Sequence, residues 1–427
     1  MKIGTDIAKI SRFEKMTEND IPKKVFSDEE RAYILSKKNA AQTAAGIFAA
    51  KEAFLKALGT GISVCPLNEI TVSHTLSGCP EFSFSENVKK ILKNYFQGDI
   101  SVSISHDGEY AISTVCLTCD KYYNYYEKAI KIYESSVEDA ITPDIIHPYL
   151  PKRSRNLHKG SCGRLYACAG SKGLTGAAIM ACTSALRCGA GLISLGCCES
   201  LNSIFESSLS EVMTKPLNDN NGVFTSDTAD EINNEAQKAD VCLIGPGLGR
   251  NTAITRITKK VFRNENVYAI ADADALFAAS TDISILKNHR AKLILTPHIG
   301  EFSYLTGKTT EEILSDPKAL ATEFAKKYNV TLVLKSHRTV VASPDGRRLV
   351  NISGNPGMAT GGSGDVLSGA IASFASQGME PFEAACTGVY IHSLAADMAA
   401  FEKGEYSLIP SDIINYLPYA IKFSTGR

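Results

Sequence analysis

Two rhythms of apolar and polar positions divide the chain. In the first part, residues 40–58 (AAQTAAGIFAAKEAFLKAL) run through alanines and large apolar side chains, with Gly46 as the one interruption and Gly59 immediately after, which predicts a long helix. Alternating or apolar runs at 2–7, 100–104 and 112–117 predict strands, so this region has an α+β character. From residue 165 the rhythm changes. Short apolar runs at 164–169, 191–196, 241–244, 268–271, 292–295 and 331–334 predict strands, and 176–188 and 317–327 predict helices between them. Such alternation predicts an α/β fold, a mainly parallel sheet covered by helices.

Between the two regions lies YYNYYEKAIKIY (122–133), followed by an acidic stretch carrying Pro143, Pro148 and Pro151. The tyrosines predict a connector helix that packs on one domain, rather than a surface on which bases stack. With 427 residues the chain exceeds one typical core, which predicts two domains, 1–120 and 141–427, joined by a linker at 121–140.

Composition narrows the function classes. Hydrophobic residues at 44% and charged residues at 21% are those of an ordinary globular protein, and a formal net charge of −1 provides no basic field for nucleic acid or an anionic membrane. A local basic patch for an acidic protein partner stays open. The start, MKIGTDIAKI, lacks the apolar core of a signal peptide, and no apolar run reaches membrane-spanning length; a cytoplasmic protein is expected. The 12 scattered cysteines suit reduced thiols, and the lone C-x-x-C of Cys116 and Cys119 supplies half of a zinc site.

Candidate chemistry falls into two sets. On the predicted helix, Glu52 and Lys56 stand four apart on one face, and Asp6 lies in the first strand. A surface ion pair explains Glu52 and Lys56 alone; carboxylates from two elements with lysines beside them also suit Mg2+ holding a pyrophosphate. In the second set, MATGGSGD clusters Gly361, Gly362 and Gly364 before Asp365, with Gly357 just upstream and an apolar helix-like run at 366–374 behind. Glycines let main-chain amides approach an anion, a helix start adds positive potential, and Asp365 can serve as general base or positioning group. GPGLG (245–249), TPHIGE (296–301) and KSHRT (335–339) each directly follow a predicted strand, where ligands bind in parallel sheets.

The strings GTDI with Arg12 downstream, FSDEE, FAAKEAFLKALGTGI and SISHD closely resemble the holo-acyl-carrier-protein synthase family of 4′-phosphopantetheinyl transferases, over roughly residues 1–120. The resemblance implies transfer of 4′-phosphopantetheine from coenzyme A to a serine of acyl carrier protein. It implies Asp6 and Glu52 as Mg2+ ligands, Lys56 neutralising phosphate, His106 contacting coenzyme A, and Arg12 facing the carrier protein. Ile47 stands where that family often has a basic residue, which leaves phosphate contacts from this turn unsupported.

HKGSCGRLYACAGSKGLTGAA, GPGLG, PHIGEFSYLTG and NPGMATGGSGDVLSG resemble the ADP-dependent NAD(P)H-hydrate dehydratase family, of the ribokinase-like superfamily, over about 140–427. The resemblance implies that ADP phosphorylates the 6-hydroxyl of NAD(P)H hydrate and that phosphate is then eliminated, yielding AMP. It implies the hydrate near Ala177, Gly247, His298 and Asp365, and the nucleotide against Lys335, Ser336, His337, Arg338, Thr339 and Gly364. His298 has a structural alternative as the cap of a loop, and His158 and Lys159, which open the domain motif, have a purely structural role as theirs. Ser336 replaces the usual glycine, which predicts strain if φ there is positive. Both resemblances imply homo-oligomers, a trimer for the first and a tetramer for the second. The rivals are a small-molecule kinase in the second domain and a non-catalytic module for carrier-protein binding or assembly in the first.

Overall fold

The computed structural model describes residues 2–60, 65–75, 77–95, 98–119, 137–151 and 156–425. The expected connector helix at 122–133 and the side chain of Cys119 lie outside the described residues. Two compact units divide the chain, Met1–Ala129 and Ile130–Arg427.

In the first unit, β1 (Lys2–Lys9), β4 (Gly98–Asp107) and β5 (Tyr110–Cys119) form an antiparallel sheet in the order β1-β5-β4, and β2 (Ile70–His74) pairs with β3 (Pro80–Phe84). The Ala40–Leu58 helix forms over the predicted residues and ends on Gly59 at φ 78°. Its alanines serve packing: Ala49, Ala50 and Ala53 are fully buried, and a Cβ on Gly4 of β1 would stand 2.1 Å from the Ala53 carbonyl oxygen. Helix and strand therefore touch backbone to backbone.

Within this core lies a charge that the sequence reading passed over. Lys51 and Glu30 are both essentially unexposed. The Lys51 ammonium donates to Glu30 Oε2 at 2.5 Å and to the Val25 and Leu67 carbonyls at 2.8 and 2.9 Å, while Glu30 also accepts from the amides of Ser27 and Val72. All three ammonium protons are used and the carboxylate accepts three hydrogen bonds, the kind of satisfaction under which a buried ion pair is tolerated. Burial pulls the Lys51 pKa down, against the Glu30 charge. Lys51→Ala strands a buried carboxylate and is expected to destabilise the first unit by about 3–5 kcal/mol. Hydrogen exchange should report it as faster exchange of the Ala40–Leu58 amides with the second unit unchanged.

The second unit holds a nine-stranded sheet. Its strands are β6 (Arg164–Cys168), β7 (Leu192–Cys198), β8 (Met213–Leu217), β9 (Val241–Ile244), β10 (Tyr268–Ala271), β11 (Lys292–Leu295), β12 (Thr331–Leu334), β13 (Val340–Ala342) and β14 (Arg348–Val350). Their order is β14-β13-β12-β11-β10-β9-β6-β7-β8. The pairs from β8 to β12 are parallel and the last two antiparallel. All six strands expected from the pattern are present. β9 and β12 are wholly buried and β11 is buried after its exposed Lys292, which explains their apolar runs. Helices Thr175–Arg187, Ser363–Ser376, Pro381–Lys403 and Pro410–Thr425 pack together beside the sheet. Among the described residues no helix is long and apolar enough to cross a membrane, and eleven cysteines are free thiols.

The winding sense of this sheet reverses at β6, which has β7 on one side and β9 on the other. Loops leaving neighbouring strands at such a point diverge and open a crevice over the carboxyl ends. That crevice is the place the GPGLG, TPHIGE and KSHRT segments flank.

Two candidate active sites

Main-chain hydrogen bonds fix the loops around the crevice. The Gly170 amide, after β6, donates to the Pro246 carbonyl after β9 at 2.8 Å, and the Lys335 amide, after β12, donates to the Pro297 carbonyl after β11 at 2.8 Å. Ala177, in the first turn of the Thr175–Arg187 helix, and Gly247 face each other, since a Cβ on Gly247 would lie 3.0 Å from that of Ala177.

On the neighbouring strands the charges converge. Lys335 Nζ donates to Asp272 Oδ1 at 2.8 Å and lies 4.0 Å from Glu301 Oε2. Asp272 is 2% exposed and also accepts from the amide of Ala273, a residue held at φ 48° in the left-handed region. A Cβ on Gly364 would sit 3.4 Å from Lys335 Nζ and 3.9 Å from Asp272 Oδ2, so the start of the Ser363–Ser376 helix closes directly on this pair. Gly362 begins that helix at φ 100°, a conformation costly for other residues. The amides of Gly364 and Asp365 occupy the first turn, where helix geometry supplies no carbonyl partner.

These surroundings set the proton affinities. Burial, reinforced by the negative charges of Asp272, Asp274 and Glu301 and opposed by Lys335, pushes the Asp365 carboxyl up to about 7. Burial likewise raises Glu301, with Lys335 opposing and Asp272 adding. Burial works to lower the Lys335 ammonium, but Asp272 and Glu301 overcome it, and Lys335 holds its proton more tightly than a free lysine. A carboxyl that titrates near neutrality beside a fixed cation and open main-chain amides can take a proton from a hydroxyl while a phosphoryl group is held alongside.

His298 caps the Ile299–Thr306 helix, the structural alternative weighed above: its amide donates to Glu301 Oε2 at 2.8 Å and its Nδ1 accepts from the Glu301 amide at 3.2 Å, while the ring stays largely exposed. His158 opens the short turn Lys159–Cys162 through its backbone, its amide donating to Ser161 Oγ at 3.2 Å and its carbonyl accepting from that hydroxyl at 2.9 Å. At Ser336 the condition for strain is not met. The described non-glycine residues at positive φ are Asn221, Ala273 and Asn329, so Ser336 carries no left-handed strain. Its hydroxyl donates to the Arg338 carbonyl and accepts from the Arg338 amide, and Thr339 Oγ1 donates to the Ser336 carbonyl at 3.1 Å, folding Lys335–Thr339 into a closed turn with His337 at its exposed tip.

Sequence reading missed Asp272, Asp274 and His392, and quoted Glu301 without a role. Asp272 was findable, since it directly follows the strand predicted at 268–271, as the recognised segments follow theirs. His392 offers no local signal. It lies in the Pro381–Lys403 helix, 4% exposed, with Nε2 3.4 Å from the Ser363 hydroxyl, and burial pushes its pKa down to about 4.

In the first unit, Asp6 lies in β1 on the face covered by the helix. Lys56 Nζ donates to Asp6 Oδ1 at 2.7 Å and to the Thr5 carbonyl at 3.3 Å. The recorded ion pair of Lys56 thus runs from helix to strand, to Asp6, in place of the Glu52 and Lys56 surface pair the spacing allowed. Glu52, one turn earlier, has its pKa raised by burial and next by the Asp6 charge, with Lys56 opposing. Two carboxylates therefore share one electrostatic neighbourhood. Among the described residues no group of three or more His, Cys, Asp or Glu forms a metal cage. Two carboxylates fit Mg2+, which keeps waters and takes substrate phosphate for the remainder of its shell. His106 in β4 is exposed and, by strand alternation from Ile104, projects to the helix side of the sheet as Asp6 does. Arg12 is exposed on the Ser11–Asn19 helix. Ile47 is buried at 1%, a core position where a basic side chain would have no phosphate to meet.

A ribokinase-like α/β domain, defined by the reversed parallel sheet and its carboxylate–lysine site, thus follows a small α+β domain with a carboxylate pair. The chain belongs to the NAD(P)H-hydrate dehydratase family, whose model matches residues 165–419, and its residues 2–115 match the 4′-phosphopantetheinyl transferase superfamily. The fusion expected from the two motif sets is present. The bifunctional NAD(P)H-hydrate repair enzyme Nnr of Moorella thermoacetica is 41% identical over 274 residues, covering 64% of this chain and 52% of that protein. The chain therefore spans about half the length of that curated relative. The ADP-dependent (S)-NAD(P)H-hydrate dehydratase of Neisseria meningitidis is 36% identical over 250 residues, covering 58% of this chain and 80% of the relative. Among solved structures, the ADP/ATP-dependent NAD(P)H-hydrate dehydratase of Bacillus subtilis, co-crystallised with ATP and Mg2+, superposes with a TM-score of 0.57 at 28% identity, covering 67% of this chain and 98% of that one.

Proposed function

We propose that the chain, with domains at 1–120 and 141–427 and a linker at 121–140, is a bifunctional enzyme: an ADP-dependent dehydratase of (6S)-NAD(P)H hydrate and a phosphopantetheinyl transferase acting on acyl carrier protein. The observation that carries the first activity is Asp365, half-buried beside Lys335 and Asp272 at the start of a glycine-opened helix in the switch-point crevice. The hydrate lies against Ala177, Gly247 and His298, with its 6-hydroxyl toward Asp365. ADP lies along Lys335–Thr339 and Gly364. Asp365 takes the hydroxyl proton as the oxygen attacks the β-phosphorus, and AMP leaves. Lys335 and the first-turn amides bear the charge of the transferred phosphoryl group. Phosphate then departs from C6 and a proton from C5, restoring the ring double bond; phosphorylation has turned a poor leaving group into a good one.

In the first domain, Asp6 and Glu52 would hold Mg2+, which would supply positive charge to the coenzyme A pyrophosphate. Lys56, already poised against Asp6, adds its charge, and His106 contacts the coenzyme. Arg12 receives the acidic carrier. A homo-oligomer of trimer or tetramer type suits the outward sheet face, where Ile3, Ile7, Tyr110 and Ile112 are exposed, and the buried free thiols suit the cytoplasm.

Incubation with hydrated NADH and either ADP or ATP tests the dehydratase: appearance of NADH absorbance with AMP and phosphate is expected, and persistence of the hydrate with both nucleotides rejects it. Mass spectrometry of apo-carrier protein with coenzyme A and Mg2+ tests the transferase; an unchanged mass leaves only a carrier-binding role.

A further inference from the structure

One cation at the crevice is not absorbed by this scheme. Arg250 ends the GPGLGR loop after β9, directly behind Gly249, whose added Cβ would lie 3.7 Å from Ser171 Oγ of the loop after β6. Its Nε donates to Asp274 Oδ1 at 3.3 Å, and its guanidinium carbon lies 4.4 Å from the centre of the Phe277 ring. Asp274 is itself anchored, accepting from the Gly249 amide at 2.8 Å, and only 13% exposed, whereas Arg250 is 60% exposed. Asp274 is also one of the charges that Asp365 senses, so the pair stands at the rim of the same crevice.

An ion pair whose arginine is 60% exposed contributes little to stability, so folding gains little from holding this side chain in place. What the arrangement does is immobilise a guanidinium by one edge and one face. The two Nη groups have no recorded partner among the described residues and form the planar fork that matches a phosphate bidentately. Immobilisation beforehand removes most of the side-chain entropy that binding would otherwise cost. The loop that carries Arg250 also carries Gly247, on the side of the crevice given to the hydrate, away from the Lys335–Thr339 turn.

We propose that Arg250 is the specificity-determining receptor for the pyrophosphate of the hydrated dinucleotide, resting on the reading of this crevice as a dehydratase site. The guanidinium selects a dinucleotide over uncharged hydroxylated rings of similar shape, and it acts on binding rather than on proton transfer. Phe277 and Asp274 are its positioning residues.

The test uses the full chain and two readouts. In calorimetry with ADP saturating, ADP-ribose serves as the probe, since it has the dinucleotide pyrophosphate without the nicotinamide. Arg250→Ala is expected to weaken ADP-ribose about ten- to hundredfold, with ADP affinity unchanged. Arg250→Lys, which keeps the charge but not the fork, should fall between. In steady-state assays the same Ala variant should raise KM for the hydrate by a similar factor while kcat and the KM for ADP hold. Equal ADP-ribose affinity in wild type and Arg250→Ala, no ADP-ribose binding by the wild type, or weakened ADP binding would each overturn the proposal. Absence of hydrate turnover by the wild type would sink the dehydratase reading instead, and the calorimetric comparison would still decide on Arg250.

Discussion

Asp365→Asn is expected to lower kcat for hydrate turnover by about 10²–10⁴-fold, the range that a positioned general base contributes, with KM for ADP nearly unchanged. The amide is isosteric and keeps the packing at the helix start, but it cannot accept the hydroxyl proton. The pH dependence has a defined sign. A base must be ionised to act, and this carboxyl titrates at about 7, so wild-type kcat should climb as pH rises through that value. Burial and three neighbouring carboxylates disfavour its charged form. The folded state therefore binds more protons than the unfolded chain between the ordinary aspartate value and about 7, and across that window stability falls as pH rises. Asn carries no such charge. The variant should thus melt higher than wild type at pH 8 and by a smaller margin at pH 5, gaining stability while losing activity; a variant no more stable at pH 8 would refute the desolvated-base account.

Glu52→Ala should abolish phosphopantetheine transfer, a loss of about a thousandfold or more, because a single carboxylate already paired with Lys56 is left to hold Mg2+. Dehydratase turnover by the same protein should be unaffected. Carrier-protein mass and hydrate consumption measured on one preparation check both halves, and parallel loss of both activities would point to misfolding or coupled sites.

Much of this was legible because local and tertiary preferences agree. The helix over 40–58 announced itself through alanines and a closing glycine, and the reason for the alanines, a helix lying backbone to backbone on β1, favours the same residues as helix propensity does. The buried parallel strands are unbroken apolar runs and were found. β8 was not, because as an edge strand it reads Met-Thr-Lys-Pro-Leu, with polar positions and a proline that an edge tolerates. β13 and β14, three residues each, are too short for any period to show. The glycine-flanked Asp365 and Lys335 could be seen as loops after strands. The partnership of Asp272 with Lys335, across 63 residues, could not, since nothing local encodes which carboxylate a buried ammonium will meet. Lys51 was hidden for a related reason: inside an alanine-rich helix a lysine reads as the solvated face, and only the arrival of Glu30 from 21 residues away makes it a core residue.

The bonds tying Gly170 to Pro246, Gly249 to Asp274 and Lys335 to Pro297 have a thermodynamic corollary. A mouth laced shut at its seams before any guest arrives leaves little chain to freeze upon association. The heat capacity released when nucleotide and hydrate dock should then track the area they cover and no more, unlike that of a receptor which folds around its cargo.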